Sequence, residues 1–151
     1  MPSLHFKPVS PWENKFRTPR PEELIAPHPK PIIALLEHAR QKLRDIPGLR
    51  EEVSWQGLPW RWAFVFRHDD ETTRARACVV PEPGKARLAL AFPMDVLARM
   101  PLRKLSRTAR EPLVHGVEVD GVRWAEWELT GRPLLDEILA LAARSEAPAP
   151  G

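Results

Sequence analysis

Between residues 31 and 92 the hydrophobic period changes once, from three or four residues to two, and that change restricts the chain to a mixed helix-and-sheet fold. In PIIALLEHARQKLRDI, residues 31–46, Ile32, Leu35, Leu36, Ala39, Leu43 and Ile46 make one apolar stripe, with Pro31 suited to a first turn. Pro47-Gly48 stops that helix. From Glu51 onward the side chains alternate. Strands are expected at Glu51–Gln56, Trp60–Arg67, Thr73–Val80 and Ala86–Phe92, joined by the Gly57-Leu58-Pro59 turn, the HDDETT loop and the PEPGK turn. Short connections between consecutive strands predict an antiparallel meander.

After Pro93 short helices are expected at Met94–Met100 and Arg107–Val114, then a fifth strand over residues 121–130. A second amphipathic helix starts at Pro133 and carries Leu134, Leu135, Ile138, Leu139 and Ala142. The expected fold is α+β: a five-stranded curved antiparallel sheet with the N- and C-terminal helices packed on one face. Strand parity puts Trp60, Trp62, Phe64 and Phe66 on one side of the sheet, under the helices. Eight of the eighteen prolines fall in residues 1–31, so residues 1–30 read as an extended arm. Its Phe6, Trp12, Phe16, Leu24 and Ile25 are too apolar for a linker and predict an arm lying along the domain surface. The domain proper is expected over 31–145, and 146–151 as a disordered tail.

Composition removes several function classes. Cys78 is the only cysteine, so neither an internal disulfide nor a cysteine zinc site can form within one chain, and it reads as a small buried hydrophobe. No apolar run approaches the ~20 residues of a membrane span, and the proline-bearing N-terminus lacks a signal-peptide core, so a cytoplasmic location is expected. A net charge of +3 is too mild for a dedicated nucleic-acid binder, although Arg99, Arg103, Lys104, Arg107 and Arg110 concentrate basic charge in RMPLRKLSRTAR. Glycine-rich phosphate loops, a zincin helix motif and a nucleophile elbow are all absent. No catalytic residues are assigned, and a non-enzyme is expected.

Four groups of residues invite a chemical reading. His68, Asp69, Asp70 and Glu71 form the densest set of potential metal ligands, although consecutive side chains on a loop diverge. Glu126 and Glu128 share a face of the fifth strand with Trp124, where they read either as coupled carboxylates or as a polar face pairing with strand arginines. His115 precedes a glycine turn. The aromatic cluster reads as core, with Trp55 and Trp60 beside the turn as the exceptions, so the expected ligand-binding set is Trp55, Gly57, Pro59, Trp60, Arg61 and Trp124.

The order of elements resembles the YdhG-like bacterial domains, a group partly called frataxin-like. The resemblance rests on Glu51–Trp55, Gly57, Pro59, Trp60–Phe66, Leu88–Phe92, Val122–Leu129 and Pro133–Arg144, and covers residues 31–145. The chain departs from that pattern in carrying Trp60 where tyrosine is common and Lys85-Ala86-Arg87 where Lys-x-His is usual. Its Trp55 and Pro59 also stand one residue farther apart. The resemblance implies a domain that binds a small molecule or protein without a cofactor. The frataxin-like label alternatively implies iron, held by the HDDE loop with Glu37, Asp45, Glu51 and Glu52. Nucleic acid on the basic stretch is a further alternative.

Overall fold

A computed structural model describes residues 10–146. Two helices precede the sheet, α1 (Pro21–Ile25) and α2 (Lys30–Arg44). The expected stripe is the buried side of α2: Leu35, Leu36, Ala39 and Leu43 are all enclosed. Six strands follow: β1 (Leu49–Trp55), β2 (Trp62–His68), β3 (Glu71–Val80), β4 (Arg87–Pro93), β5 (Val117–Val119) and β6 (Val122–Glu128). Between β4 and β5 lie α3 (Met94–Ala98), a 3-10 turn at Leu102–Lys104, and α4 (Arg107–His115). The chain closes on α5 (Arg132–Glu146).

The fold is α+β, and the sheet is antiparallel throughout in the order β1-β2-β3-β4-β6-β5. It has six strands where five were expected. The added strand, β5, forms a hairpin with β6 through Asp120-Gly121, both left-handed (φ 51° and 76°) as a two-residue hairpin turn demands. Its three residues are too few for alternation to register in the sequence.

The register sorts the strand residues by size. Trp62, Phe64, Phe66, Val79, Leu88, Leu90 and Trp127 share the face under the helices, where the Arg40 guanidinium lies 4.1 Å from the Phe64 ring centre. The Trp127 indole donates to the Ala109 carbonyl of α4 at 3.1 Å. The opposite face carries Ala63, Val65, Cys78, Val80, Ala89 and Ala91, all buried and mostly small. Cys78 therefore sits in the core, and burial pushes its thiol up to about 12.

The arm takes part in this core. Trp12, Leu24 and Ile25 are buried, the Trp12 indole donates to the Trp60 carbonyl at 3.1 Å, and the Trp62 indole to the Asn14 carbonyl at 2.7 Å. A helix, α1, stands where an extended path was expected; Arg17 and Arg20 grip Glu23 there and draw its carboxyl down to about 2. Residues 1–9 of the expected arm and 147–151 of the expected tail lie outside the described residues. Among the described residues no helix is long and apolar enough to cross a membrane.

Two outcomes follow from this packing. Trp12→Ala should cost about 3–5 kcal/mol in urea unfolding, the cost of emptying a core tryptophan site; a loss under about 1 kcal/mol would return the arm to the surface. The second concerns α2 and α5, which are clamped by His38 Nε2 and Asp136 Oδ1 at 2.7 Å. That bond first, with Arg132 assisting, holds the Asp136 carboxyl below its usual range. A depressed carboxyl stabilises the fold above its unfolded value, near pH 4, and the contribution disappears as pH falls through the folded value. Thermal melts of Asp136→Asn should therefore decline less steeply than wild type on acidification below about pH 5, and parallel slopes would refute the clamp.

Candidate functional site

The turn between β1 and β2 decides where its aromatics go. Gln56 N donates to Arg61 O at 2.7 Å and Arg61 N to Gly57 O at 2.6 Å, closing a tight loop that contains a cis Leu58–Pro59 bond. Gly57 and Arg61 are both left-handed, with φ of 75° and 55°. A left-handed residue interrupts strand alternation, so Trp60 does not share the face of Trp62, Phe64 and Phe66 as parity predicted. It crosses to the other side, where its ring meets Trp124 edge-on at 5.6 Å and 69°. Trp124 pairs with Ala91 and so belongs to the small-residue face. Trp55 stays on the helix face, edge-on to Trp62 at 5.6 Å. Arg61 lies over the Trp12 ring at 5.2 Å.

The expected ligand-binding set is thus divided. Trp60 and Trp124 are brought together, Gly57 and Pro59 shape the turn, and Trp55 and Arg61 face elsewhere. Next to Trp124 the small-residue face opens into a groove of about 260 Å³. Ala75 and Ala91 leave its floor shallow. Val119, Val122 and Trp124 from the β5–β6 hairpin form one wall, and Arg74, Arg76 and Glu71 from the start of β3 form the other. Arg76 is held by Glu146 of α5 at 3.1 Å, whereas Arg74 has, among the described residues, only Glu71 at 3.4 Å and is the less engaged cation there. Sequence reading singled out Trp124 as a ligand contact and Glu71 only as a metal ligand; it missed the rest because the strands bring them together and the floor is defined by lack of bulk.

The other candidate groups do not assemble. Asp69 is tied to Arg50, Glu71 to Arg74 and Arg76, and the Asp70 carboxylate lies 3.5 Å from the His68 ring. Glu51 is gripped by Arg40 at 2.7 Å and Glu52 by Arg67 at 3.4 Å. Among the described residues no three His, Cys, Asp or Glu side chains stand together as a metal site. Glu126 and Glu128 do share a face, but Glu126 is taken by Arg87 across the strands at 2.7 Å, so the two are not a coupled carboxylate pair. Arg87 is buried, binds Glu82 as well at 2.7 Å, and keeps its Nε unpartnered. Arg99, Arg103, Lys104 and Arg107 are exposed around the 3-10 turn and the start of α4, with Arg107 paired to Glu111 at 3.0 Å and Arg110 half-buried. His115 ends α4, exposed to solvent.

A Cβ added at Gly57 would meet nothing within 4 Å, so the cost of Gly57→Ala is the left-handed backbone alone. The variant should lose about 1 kcal/mol in urea and admit more acrylamide to its tryptophans as Trp60 lifts from Trp124; a loss under about 0.3 kcal/mol would mean that the turn is not held by this geometry.

No protein-family model, curated protein or solved structure matches the chain.

Proposed function

We propose that the chain is a cytoplasmic, non-enzymatic binding domain of the YdhG-like kind, taking a small amphipathic ligand in the groove beside Trp124. The observation that carries this reading is the pairing of an indole wall with an alanine floor on a sheet face that, among the described residues, no helix covers there. An apolar or aromatic body fits against Trp124, Val122 and Ala91, and an anionic group fits Arg74, whose single carboxylate partner is distant enough to yield. Trp60 acts from behind: its edge-on contact fixes the Trp124 ring, so ligand binding meets a wall already in position. The volume suits a compact molecule, below the usual range of drug-sized pockets.

The test uses 8-anilinonaphthalene-1-sulfonate, a planar apolar body with one anionic group. It should bind one-to-one with quenching of tryptophan emission. Trp124→Ala and Arg74→Ala should each weaken binding about tenfold, the size of one lost contact. Ala91→Leu should fill the floor and abolish binding with the far-UV spectrum unchanged, while Trp55→Ala, on the other face, should leave affinity unaltered. Binding that survives Ala91→Leu, or none at about 1 mM probe, would overturn the assignment.

A further inference from the structure

β6 is paired along its whole length with β4 but only over Val122–Trp124 with β5. The chain leading into β5 has left the sheet plane at Gly116, whose N–H caps α4 by donating to Pro112 O at 2.8 Å. The direction of the remaining backbone groups is fixed by one bond: Leu129 N donates to Ala86 O, on the β4 side, at 2.8 Å. By antiparallel alternation the N–H and C=O of Glu126 and Glu128 point away from β4. Among the described residues no backbone group pairs with them.

That open edge forms one side of a groove of about 430 Å³ whose other side is α4, presenting Thr108, Glu111 and Arg107. α4 is anchored to the helix face through the Trp127 indole, and the groove rather than the helix itself stands beside Glu126 and Glu128. From Glu126 to Thr130 the edge is about 13 Å long, room for a strand of four or five residues. Its charge is acidic. Glu128 is exposed and unpaired among the described residues, whereas Glu126 in the same groove is held by Arg87 at 2.7 Å and Glu111 by Arg107 at 3.0 Å, so the free charge on this edge is that of Glu128.

We propose that this edge docks an extended peptide bearing a lysine or arginine opposite Glu128, added as a further strand beside β6. The backbone of Glu126 and Glu128 supplies the hydrogen bonds, and the Glu128 side chain selects the basic residue. A second copy of the chain does not fit: pairing two β6 edges about a two-fold axis would set the glutamates of one copy beside those of the other.

The test titrates the full chain with fluorescein-labelled Thr-Lys-Val-Lys-Val, its Thr-Glu-Val-Glu-Val counterpart, and a version of the lysine peptide methylated on alternate backbone nitrogens. Only the unmodified lysine peptide should bind by anisotropy, with the amide resonances of Glu126 and Glu128 shifting most. Glu128→Lys should weaken it about tenfold, one charge reversal at a strand contact. Glu128→Pro removes an outward donor but no bond to β4, and should abolish binding. If the proline variant unfolds, the methylated peptide makes the same test from the other partner. Equal binding of the acidic or methylated peptide, no binding at about 1 mM, or a dimer in sedimentation that Glu128→Lys disrupts would each overturn the proposal.

Discussion

Arg61, left-handed at φ 55°, separates two aromatic populations that would otherwise form one row. Were it extended, Trp60 would join Trp62 beneath the helices. Trp124 would then have no neighbouring ring. The left-handed turn costs about 1–2 kcal/mol at a non-glycine residue, so something must hold it there. The Arg61 guanidinium packs on Trp12, Trp12 donates to the Trp60 carbonyl, and Trp62 donates to Asn14. Each of these contacts comes from the proline-rich stretch before the first long helix. That stretch is therefore what fixes Trp60 in place, and through Trp60 the groove wall.

Charge is arranged to keep the uncovered face closed where no helix reaches it. Arg87 and Arg67 reach across neighbouring strands to Glu126 and Glu52. Their stems shelter the alanines, valine and cysteine beneath, a use of long side chains as cover as much as of their charge. Arg87 bears the largest cost, since its guanidinium is buried and its Nε has no partner. Two carboxylates at 2.7 Å offset that burial, and removing either would leave the buried guanidinium under-compensated. The same pairing consumes the acidic side chains that a metal ion would need.

The fold was largely legible in the sequence because its elements obey simple periods. The α2 stripe, five of the six strands and α5 follow from which residues alternate and which recur every three or four. Besides α1, three features escaped for physical reasons. Trp60 was assigned to the helix face because parity presumes an unbroken strand, and nothing in the letters marks an arginine as left-handed. β5 was passed over because three residues carry too little alternation, although Asp120-Gly121 between valines is a strong hairpin signal. The groove was invisible because it consists of small residues, and Ala75 and Ala91 become a floor only once β3, β4 and β6 are aligned. Trp60 and Trp124, sixty-four positions apart, were singled out together for their type, but only the folded chain shows that they touch.

The short β5 hairpin links the two surfaces. Its outer valines, Val117 and Val119, lie on the small-residue face, and Val119 forms part of the groove wall beside Val122 and Trp124. Its shortness is what leaves the rest of the β6 edge open. A longer β5 would have to take its extra residues from the end of α4, unwinding the turn whose Leu113 and Val114 carbonyls accept from Arg123. Arg123 donates to the last turn of α4 from within β6, so it fixes where the helix ends and where the chain can turn back into the sheet. One side chain thereby sets both the length of the hairpin that walls the groove and the length of edge left beside it. The two surfaces are consequences of a single helix-end contact, and they meet at Trp124, the last residue of β6 that β5 covers.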